Sequence, residues 1–587
     1  DGSEDFGNIT FVDSAGIDFA TSAGSNGDLY INSSTDGKVG GSLSVTATTG
    51  NITDTVALQV ATTSSFTTSA DDATITLNTP AALTGAVTLS TSGSSGHATI
   101  DNGTTILKIA ASTVRGNLTL TSGASTSGSN YAIMDTGTLN VSGNLIATTD
   151  ANDGVIDLGS LAVNGSFDLT TDGSGNATVV NATALNFITS GIGGNLSATA
   201  TTGNITQSTG ALTVSGTTTL VTSAQAATID LSTITTNAFT GELLITTNDN
   251  NSPADGSYEA DVTIDGGTTN LIIGTSTIDG DLTLLSGGTI TDTNSSNVTV
   301  LKDLSATTDA GGSAITLDDL TVTGSVALAT NGSGNATVVN ATTLDLAASS
   351  VGGNLTATAT TGAITQSGAL DINGTGTTTF SVTDTSQNIT LFNPLNDFEG
   401  VVSTTGYDVK LWTADTMNLG AATVGGAYTV NAGTTINDSG AQIITGNALF
   451  QTADASSQIT TDCTVAACGA ANSFGGTYTT VGGIGYTVND ASADGIVLEQ
   501  RDLVGNLIVT AAGVVTQSGY QKIGGYTSIT ATGKDITLDM TTNDFEGEVR
   551  MAGLNVAVVD SDDIELGVST VTGTYTVTAS GPITDSG

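Results

Sequence analysis

Aspartate-rich loops are the residues of this chain with the clearest capacity for chemistry, because clustered carboxylates in turns are ligands that Ca²⁺ prefers. The two richest loops read TDANDG, residues 149–154, and NDNNSPADG, residues 248–256. Neither has the EF-hand spacing or the GGxGxD nonapeptide, and the same residue types are typical of ordinary turns. Calcium as a cofactor and simple turn formation therefore both remain open. The carboxylates that would bind the ion are those of Asp150, Asp153, Asp249 and Asp255.

A pair of catalytic carboxylates is the second chemistry that the residues suggest, since glycoside hydrolases hold two acids about 6.5–9.5 Å apart. Adjacent acids occur as Asp71–Asp72, Asp318–Asp319 and Asp562–Asp563. Neighbouring residues of a strand point to opposite faces, which separates the members of such a pair. His97 is the only histidine, Trp412 is the only tryptophan, and no nucleophile has a histidine placed by motif. We expect no enzymatic activity and keep a polysaccharide-processing enzyme as the alternative.

The two cysteines, Cys463 and Cys468, lie close together in the segment DCTVAAC. Their closeness predicts a disulfide that closes a small loop, which fits an oxidising compartment. A single C-x4-C pair without a nearby histidine supplies too few ligands for zinc. From about residue 440 to 501 the repeat pattern is weakest, so we predict a disulfide-bearing excursion over this segment.

Asn-x-Ser/Thr sequences, the acceptors of N-linked glycans, are frequent in the chain. Many of them arise by chance where Ser and Thr are this common, and glycosylation matters only in a host that performs it. The candidate acceptors are Asn117, Asn176, Asn181, Asn195, Asn204, Asn335, Asn340 and Asn354.

Internal repeats organise the elements that carry all these residues. The stretch GGNLTATATTGAITQSGAL, residues 352–370, recurs almost letter for letter from Gly193 and more loosely from Gly40 and Val504. These starts lie roughly 150 residues apart, which indicates duplication of a large unit. We predict an irregular β entry segment followed by three superrepeats and a partial fourth. Their ranges are 1–39, 40–192, 193–351, 352–503 and 504–587.

Within a superrepeat, apolar and polar residues alternate as they do in a half-buried strand. Leu355 and Ala357 would face inward, and Thr356 and Thr358 would face the solvent. A shorter pattern, as in VRGNLTL and VSGNLIA, returns mostly every 20–29 residues, the length of one solenoid coil. We expect glycine at the coil corners to supply backbone angles that a β-carbon forbids. The sequence thus predicts an all-β solenoid with about 20–29 residues per coil and superrepeats of about 150 residues.

Charge restricts the partners of the protein. The chain has 55 acidic and 9 basic residues, for a net charge of −46. This charge repels nucleic-acid phosphates and anionic lipid surfaces, so we expect neither nucleic-acid binding nor membrane insertion. No apolar stretch is long enough to span a bilayer. The chain begins at Asp1 without a methionine, which we interpret as a processed or excised piece of an extracellular, cell-surface protein.

The repeat pattern V-x-G-N-L-x-L/A-T-x-x-x-G-x-I-T resembles the repeats of the filamentous haemagglutinin family, the secreted adhesins of two-partner systems, and those of related autotransporter passenger domains. The resemblance covers most of the chain from Gly40 onward. It implies a right-handed parallel β-helix that serves as a non-enzymatic extracellular rod, either an adhesin stalk or a fibre-forming subunit. The implied partners are copies of the chain itself in a fibre, or glycans or proteins on host or neighbouring-cell surfaces. Rows such as Thr356, Thr358 and Thr360 are also similar to those of ice-binding solenoids, a less favoured alternative.

Overall fold

The computed structural model describes residues 7–20, 28–30, 38–124, 130–249, 259–293, 297–374 and 376–587. Parallel strands stack about 22 residues apart and form a β-solenoid of about 24 turns, with about 1% helix. The predicted all-β parallel solenoid is therefore confirmed. The chain divides into two compact units, residues 1–302 and 303–587.

A coil of the second unit consists of three short strands, Leu355–Ala359, Ile364–Gln366 and Leu370–Ile372. The strands form where small apolar and β-branched residues alternate, and Gly-containing turns separate them. The first strand pairs in parallel with Ala336–Asn340 on one side and Thr377–Val382 on the other. Equivalent residues of successive coils therefore lie side by side and form rows along the stack.

The inward rows make up the core of each unit. Leu355 and Ala357 are buried and Thr356 is partly exposed, so the predicted alternation is confirmed. Each coil contributes few apolar side chains, and these are covered mainly by the coils before and after it. One such row stacks Leu344, Ile364, Ile389 and Val409 in register.

The first unit already has coils in the segment predicted to be an irregular entry, because Ile9–Asp13 pairs in parallel with Leu43–Ala47. The described strands of this unit are Ile9–Asp13, Ile17–Ala20, Asp28–Tyr30, Lys38–Val39, Leu43–Ala47, Ile52–Asp54, Gln59–Val60, Ser64–Asp71, Ile75–Leu77, Ala82–Leu83, Ala86–Ser92, Ala98–Asp101, Leu107–Ile109, Ser112–Val114, Leu118–Thr121, Tyr131–Asp135, Leu139–Val141, Leu145–Thr148, Val155–Val163, Ser166–Thr170, Ala177–Asn181, Leu185–Phe187, Ser190–Ile192, Leu196–Ala200, Ile205–Gln207, Leu212–Val214, Thr218–Gln225, Ile229–Leu231, Ala238–Phe239, Glu242–Asn248, Val262–Asp265, Leu271–Ile273, Ser276–Ile278, Leu282–Ser286, Ile290–Asp292 and Val298–Val300.

The second unit contains a four-residue helix, Val465–Cys468. Its described strands are Leu304–Thr308, Ile315–Val322, Ser325–Ala329, Ala336–Asn340, Leu344–Leu346, Ser349–Val351, Leu355–Ala359, Ile364–Gln366, Leu370–Ile372, Thr377–Val382, Ile389–Leu391, Asp397–Phe398, Val401–Gly406, Val409–Thr413, Met417–Val424, Tyr428–Ala432, Ile436–Asp438, Gln442–Ile444, Ala448–Thr452, Gln458–Thr461, Ser473–Phe474, Thr477–Val481, Gly485–Asp490, Ile496–Leu498, Arg501–Leu503, Leu507–Ala511, Val515–Gln517, Gln521–Ile523, Thr527–Thr530, Ile536–Leu538, Asp544–Phe545, Val549–Gly553, Val556–Asp560, Ile564–Leu566, Thr570–Val571, Tyr575–Ala579 and Ile583–Asp585. None of the helices in the described ranges has the length and apolar character that a membrane span requires.

The corner before Leu355 requires glycine because two coils approach closely there, and not because of the special backbone angle that the sequence predicted. A β-carbon on Gly352 would overlap the carbonyl oxygen of Gly332, which lies at the equivalent corner one coil earlier. The φ of Gly352 lies outside the left-handed region. The close approach of stacked corners, rather than an unusual backbone angle, therefore excludes a side chain here.

Pairs of hydrogen-bonded amides, buried or partly buried, join coils at a position that recurs in the superrepeats. Gln207 Nε2 donates to Asn237 Oδ1 at 2.7 Å, and Asn237 Nδ2 donates to Gln207 Oε1 at 2.9 Å. Because each amide satisfies the other, neither leaves an unpaired polar atom in the interior. The same reciprocal pair recurs as Gln366–Asn396 and Gln517–Asn543.

The excursion predicted near residues 440–501 is small, because most of this segment remains in the coils. Ala448–Thr452 pairs in parallel with Tyr428–Ala432 and with Thr477–Val481, so these strands continue the sheet. The departure from the strands is confined to the turn that holds the helix Val465–Cys468.

Large aromatic side chains explain how these coils stay stacked although their sequence pattern is weak. In register Ala448 lies between Tyr428 and Tyr478, and the ring of Phe450, from the neighbouring inward row, packs against both tyrosine rings with centroids 5.8 and 5.5 Å away. All three rings are fully buried. A few large rings thus supply the apolar contact that rows of Leu, Ile and Val supply in other coils.

Candidate functional site

The loop of residues 149–154 is a tight turn whose acids are partly engaged by the backbone. Asp153 has a left-handed φ of 53°, and its Oδ1 accepts a hydrogen bond from the backbone N–H of Ser174 at 2.7 Å. Burial raises the pKa of Asp150, and the carboxylates of Asp101 and Asp172 raise it further. The loop thus uses Asp153 to hold the next coil, and calcium binding at Asp150 and Asp153 stays a prediction.

Asp249 also has a structural partner in the first unit. Its side chain is buried, and Oδ2 accepts a hydrogen bond from the backbone N–H of Glu259 at 3.0 Å. Its own backbone N–H donates to Asp279 Oδ2 at 2.8 Å. Asp255, the other predicted ligand of this loop, lies outside the described residues.

Six of the eight predicted glycan acceptors form rows of hydrogen bonds between coils. The side-chain oxygen of Asn176 accepts from the backbone N–H of Asn195, and that of Asn195 accepts from Thr217. Each link satisfies a backbone donor at a strand end, which explains why Asn recurs before the apolar residue of the pattern. The six are Asn117, Asn176, Asn195, Asn204, Asn335 and Asn354, with bonds of 2.7–3.0 Å.

The other two predicted acceptors, Asn181 and Asn340, lie inside the coils and have no exposed surface. Asn340 Oδ1 accepts from the Val322 N–H at 2.8 Å, and Nδ2 donates to the carbonyls of Val322 and Thr343 at 3.0 and 2.7 Å. A glycan on either side chain is therefore incompatible with the folded coils. The sequon pattern was misleading here, because it does not distinguish an inward from an outward Asn.

The predicted cysteine partners are close in space. Cys463 and Cys468 form a disulfide in the structure, with their Cα atoms 5.7 Å apart. Asp438 supports this turn: its Oδ1 accepts from the Asp462 N–H at 3.0 Å and its Oδ2 accepts from Asn472 Nδ2 at 2.6 Å. Burial raises the pKa of Asp438, although these hydrogen bonds oppose the shift.

Three acids that sequence reasoning did not connect converge in the second unit. Asp544, Asp560 and Asp562 place one carboxylate oxygen each within 4.8 Å of one another. Asp544 Oδ2 already contacts Lys522 Nζ at 3.4 Å, and Asp560 accepts from the backbone N–H of Phe545 at 3.2 Å. The group has the oxygen chemistry of a hard-cation site, but its charge is partly neutralised by that lysine. Asp560 and Asp562 follow Asp544 by 16 and 18 residues in sequence, so only the register of stacked coils shows that the three acids are close together.

A buried arginine is the second feature that the sequence pattern missed. Arg501 is 3% exposed, its Nη2 donates to the Tyr478 carbonyl at 2.9 Å, and the rings of Tyr478 and Tyr486 lie 5.5 Å from its Cζ. Burial lowers the pKa of Arg501. A signal was present in the pattern, because the alternation of RDL places Arg501 at an inward position, in register with Gln521, which stands where Leu370 stands one superrepeat earlier.

Comparisons with known proteins give one match. A family described as repeats of unknown function (DUF5649) matches residues 7–90, 174–246, 259–329, 333–405, 485–552 and 553–587, together more than half of the chain. No curated protein and no solved structure matches the chain.

Proposed function

Because the chain belongs to the family of repeats of unknown function (DUF5649) and folds as a solenoid of repeated coils, we propose that it acts outside the cell as a surface structural protein. It is a repeat structural protein, and in the proposed role it serves as an adhesin stalk or as a fibre-forming subunit. In neither role does it catalyse a reaction.

The observation that carries this proposal is that the polar side chains form hydrogen bonds between successive coils. Asn176 and Asn195 bond to the coil that follows them, Asp153 bonds to the next turn, and Gln207 pairs with Asn237 across coils. Side chains that hold one coil to the next build a repetitive scaffold, since each repeat is stabilised chiefly by its neighbours.

An extracellular location is supported by two features. A net charge of −46 keeps a large repetitive surface soluble. A disulfide between Cys463 and Cys468 is the kind of bond that persists in oxidising compartments. The resemblance of the repeats to those of filamentous haemagglutinin supports attachment to surfaces as the purpose.

Protease treatment of intact cells of the source organism tests the location. We expect protease to remove the protein from intact cells while a cytosolic marker survives, and expect a mutant that lacks the gene to adhere less to surfaces. Full protection until the cells are lysed would contradict a surface role.

Electron microscopy of the purified native protein distinguishes the two forms of the proposal. End-to-end filaments at high concentration support a fibre-forming subunit, and separate particles support a stalk.

Incubation with a panel of polysaccharides serves as the control for catalysis, because new reducing ends or unsaturated products would contradict a non-enzymatic role.

A further inference from the structure

Two aromatic side chains form a pair on the outer surface of the second unit. Phe392 follows the strand Ile389–Leu391, and Trp412 lies near the end of the strand Val409–Thr413. These two strands pair in parallel and in register. Their ring centroids are 4.9 Å apart and their planes are inclined by 64°. Both residues are partly exposed, whereas their neighbours Leu391 and Leu411 are buried. The pair thus belongs to the surface rather than to the core.

The same two positions in the other superrepeats carry no aromatic residue. The strands Ile75–Leu77, Ile229–Leu231 and Ile536–Leu538 match Ile389–Leu391, and each pairs in parallel with the strand of the next coil. Since coils form equally well without the rings, the aromatic pair is not required by the fold. The residues equivalent to Phe392 and Trp412 are Asn78 and Asp101, Ser232 and Asp265, and Asp539 and Val559.

Polar groups flank the aromatic pair on both sides. On one side Phe392 lines an open pocket of about 420 Å³ together with Gln366, Ser367, Thr390, Asn393 and Pro394. On the other side Asn431 lies beside Trp412 in the next coil, in register. Asn431 is 9% exposed, and its Oδ1 is buried without a hydrogen-bond partner among the described residues. Because this oxygen has no accessible surface, the polar groups that a ligand can reach here are those of the pocket beside Phe392.

We propose that Phe392, Trp412 and the polar side chains of the pocket beside Phe392 form a binding site for a neutral saccharide. The apolar face of a sugar ring packs on the aromatic rings, and sugar hydroxyls bond to the polar side chains of the pocket, such as Ser367, Thr390 and Asn393. The inference rests on the proposed surface role and names the ligand class through which attachment occurs. A saccharide suits this arrangement because it offers one apolar face and a rim of hydroxyl groups.

Charge selects neutral sugars over sulfated or carboxylated ones. Burial raises the pKa of Asp397, and the carboxylates of Asp415, Asp371 and Glu399 raise it further, so the charge around Asp397 is negative. This negative charge and the net charge of −46 repel anionic sugars, and the exposed Lys410, two residues before Trp412 on its strand, is a single opposing charge.

Trp412 is the only tryptophan, so its fluorescence reports on this site alone. The whole chain is titrated with lactose, with a glucose trimer and with an N-acetylglucosamine trimer, and in parallel with sulfated lactose. We expect a saturable change in emission with at least one neutral sugar. The affinity for sulfated lactose should be at least about tenfold lower.

Two substitutions make the titration specific. Phe392→Ser installs the residue that Ser232 provides at the matching position, so the coil tolerates it, and we expect the affinity to fall by about tenfold or more. Tyr407→Ser removes another exposed aromatic of the same unit and should change the affinity by less than about twofold.

The outcomes separate the site from the proposed function. No emission change with any neutral sugar, equal binding by Phe392→Ser, or equal binding of sulfated lactose would each overturn the saccharide site. Mass spectrometry of the titrated sugars tests the function independently. Cleaved sugar together with Phe392-dependent binding would sustain the site and overturn the non-enzymatic role.

Discussion

At the residue scale, inward and outward positions of one strand are expected to tolerate charge very differently. Leu355 is 1% exposed and Thr356 is partly exposed in the same strand. Leu355→Asp should lower the free energy of unfolding by several kcal/mol, because an unpaired carboxylate would lie within the apolar rows. Thr356→Asp, the matched control, should change it by less than about 0.5 kcal/mol. Chemical denaturation of the two variants measures both values, and equal shifts would contradict the assignment of faces.

Two asparagines of the repeat allow a second comparison at this scale. Asn340 makes three bonds of 3.0 Å or less inside the coils, whereas the exposed Asn354 accepts one bond, from the Thr377 N–H at 2.9 Å. Asn340→Ala should cost roughly 2–4 kcal/mol, because it leaves backbone groups of Val322 and Thr343 unpaired in the interior. Asn354→Ala should cost about 1 kcal/mol, since water can replace the lost bond. A larger loss for Asn354→Ala in the same denaturation experiment would show that the outer row is the stronger support.

At the element scale, the turn around Val465–Cys468 is where the chain departs most from the coils. Mass spectrometry without reduction should find Cys463 and Cys468 blocked in one peptide, and reduction followed by alkylation should label both. Because the bond closes only a short loop, reduction should lower the free energy of unfolding by no more than about 2 kcal/mol. Free thiols in the unreduced native protein would rule out the bond. A Cys463→Ser/Cys468→Ser variant serves as the unlabelled control.

For the whole molecule, buried acids make stability depend on pH in a defined direction. Asp560 is 1% exposed, and burial raises its pKa from 3.8 to about 6. Between these values the folded chain holds this proton and the unfolded chain releases it, so stability falls as pH rises from about 4 to about 6 and is level above that. Burial also raises the pKa of Asp54, Asp168, Asp438 and Asp490.

We therefore expect the melting temperature to increase when the pH is lowered from about 7 to about 5, and to increase with added salt, which screens repulsion within the net charge of −46. Asp560→Asn should reduce the pH-dependent increase. Asp454→Asn is the matched control, because the backbone and side-chain donors of Ser456 lower the pKa of this exposed carboxyl, so its removal should not reduce the increase. A melting temperature that falls on acidification to pH 5 would contradict this account.

The sequence by itself determined the architecture of this protein. The recurrence of Gly352–Leu370 roughly every 150 residues indicates duplication, and the alternation of Leu355 with Thr356 is a short-range periodicity that depends only on the pleat of a strand. Periodicity also separates the two kinds of Asn, because Asn340 ends the alternation Ala336, Val338, Asn340 and faces inward, whereas Asn354 precedes an apolar run and faces outward; the Asn-x-Ser/Thr pattern by itself does not distinguish them.

Only the tertiary structure decided which distant side chains meet. Phe392 reaches Trp412 across 20 residues because their strands stack in register, whereas Gln207 reaches Asn237 across 30 residues because Asn237 lies in the turn that follows the strand paired with that of Gln207. The convergence of Asp544 with Asp560 and the unpaired Oδ1 of Asn431 beside Trp412 have the same origin. Contacts between coils depend on that register, and register is fixed by the packing of inward side chains and by turn lengths together.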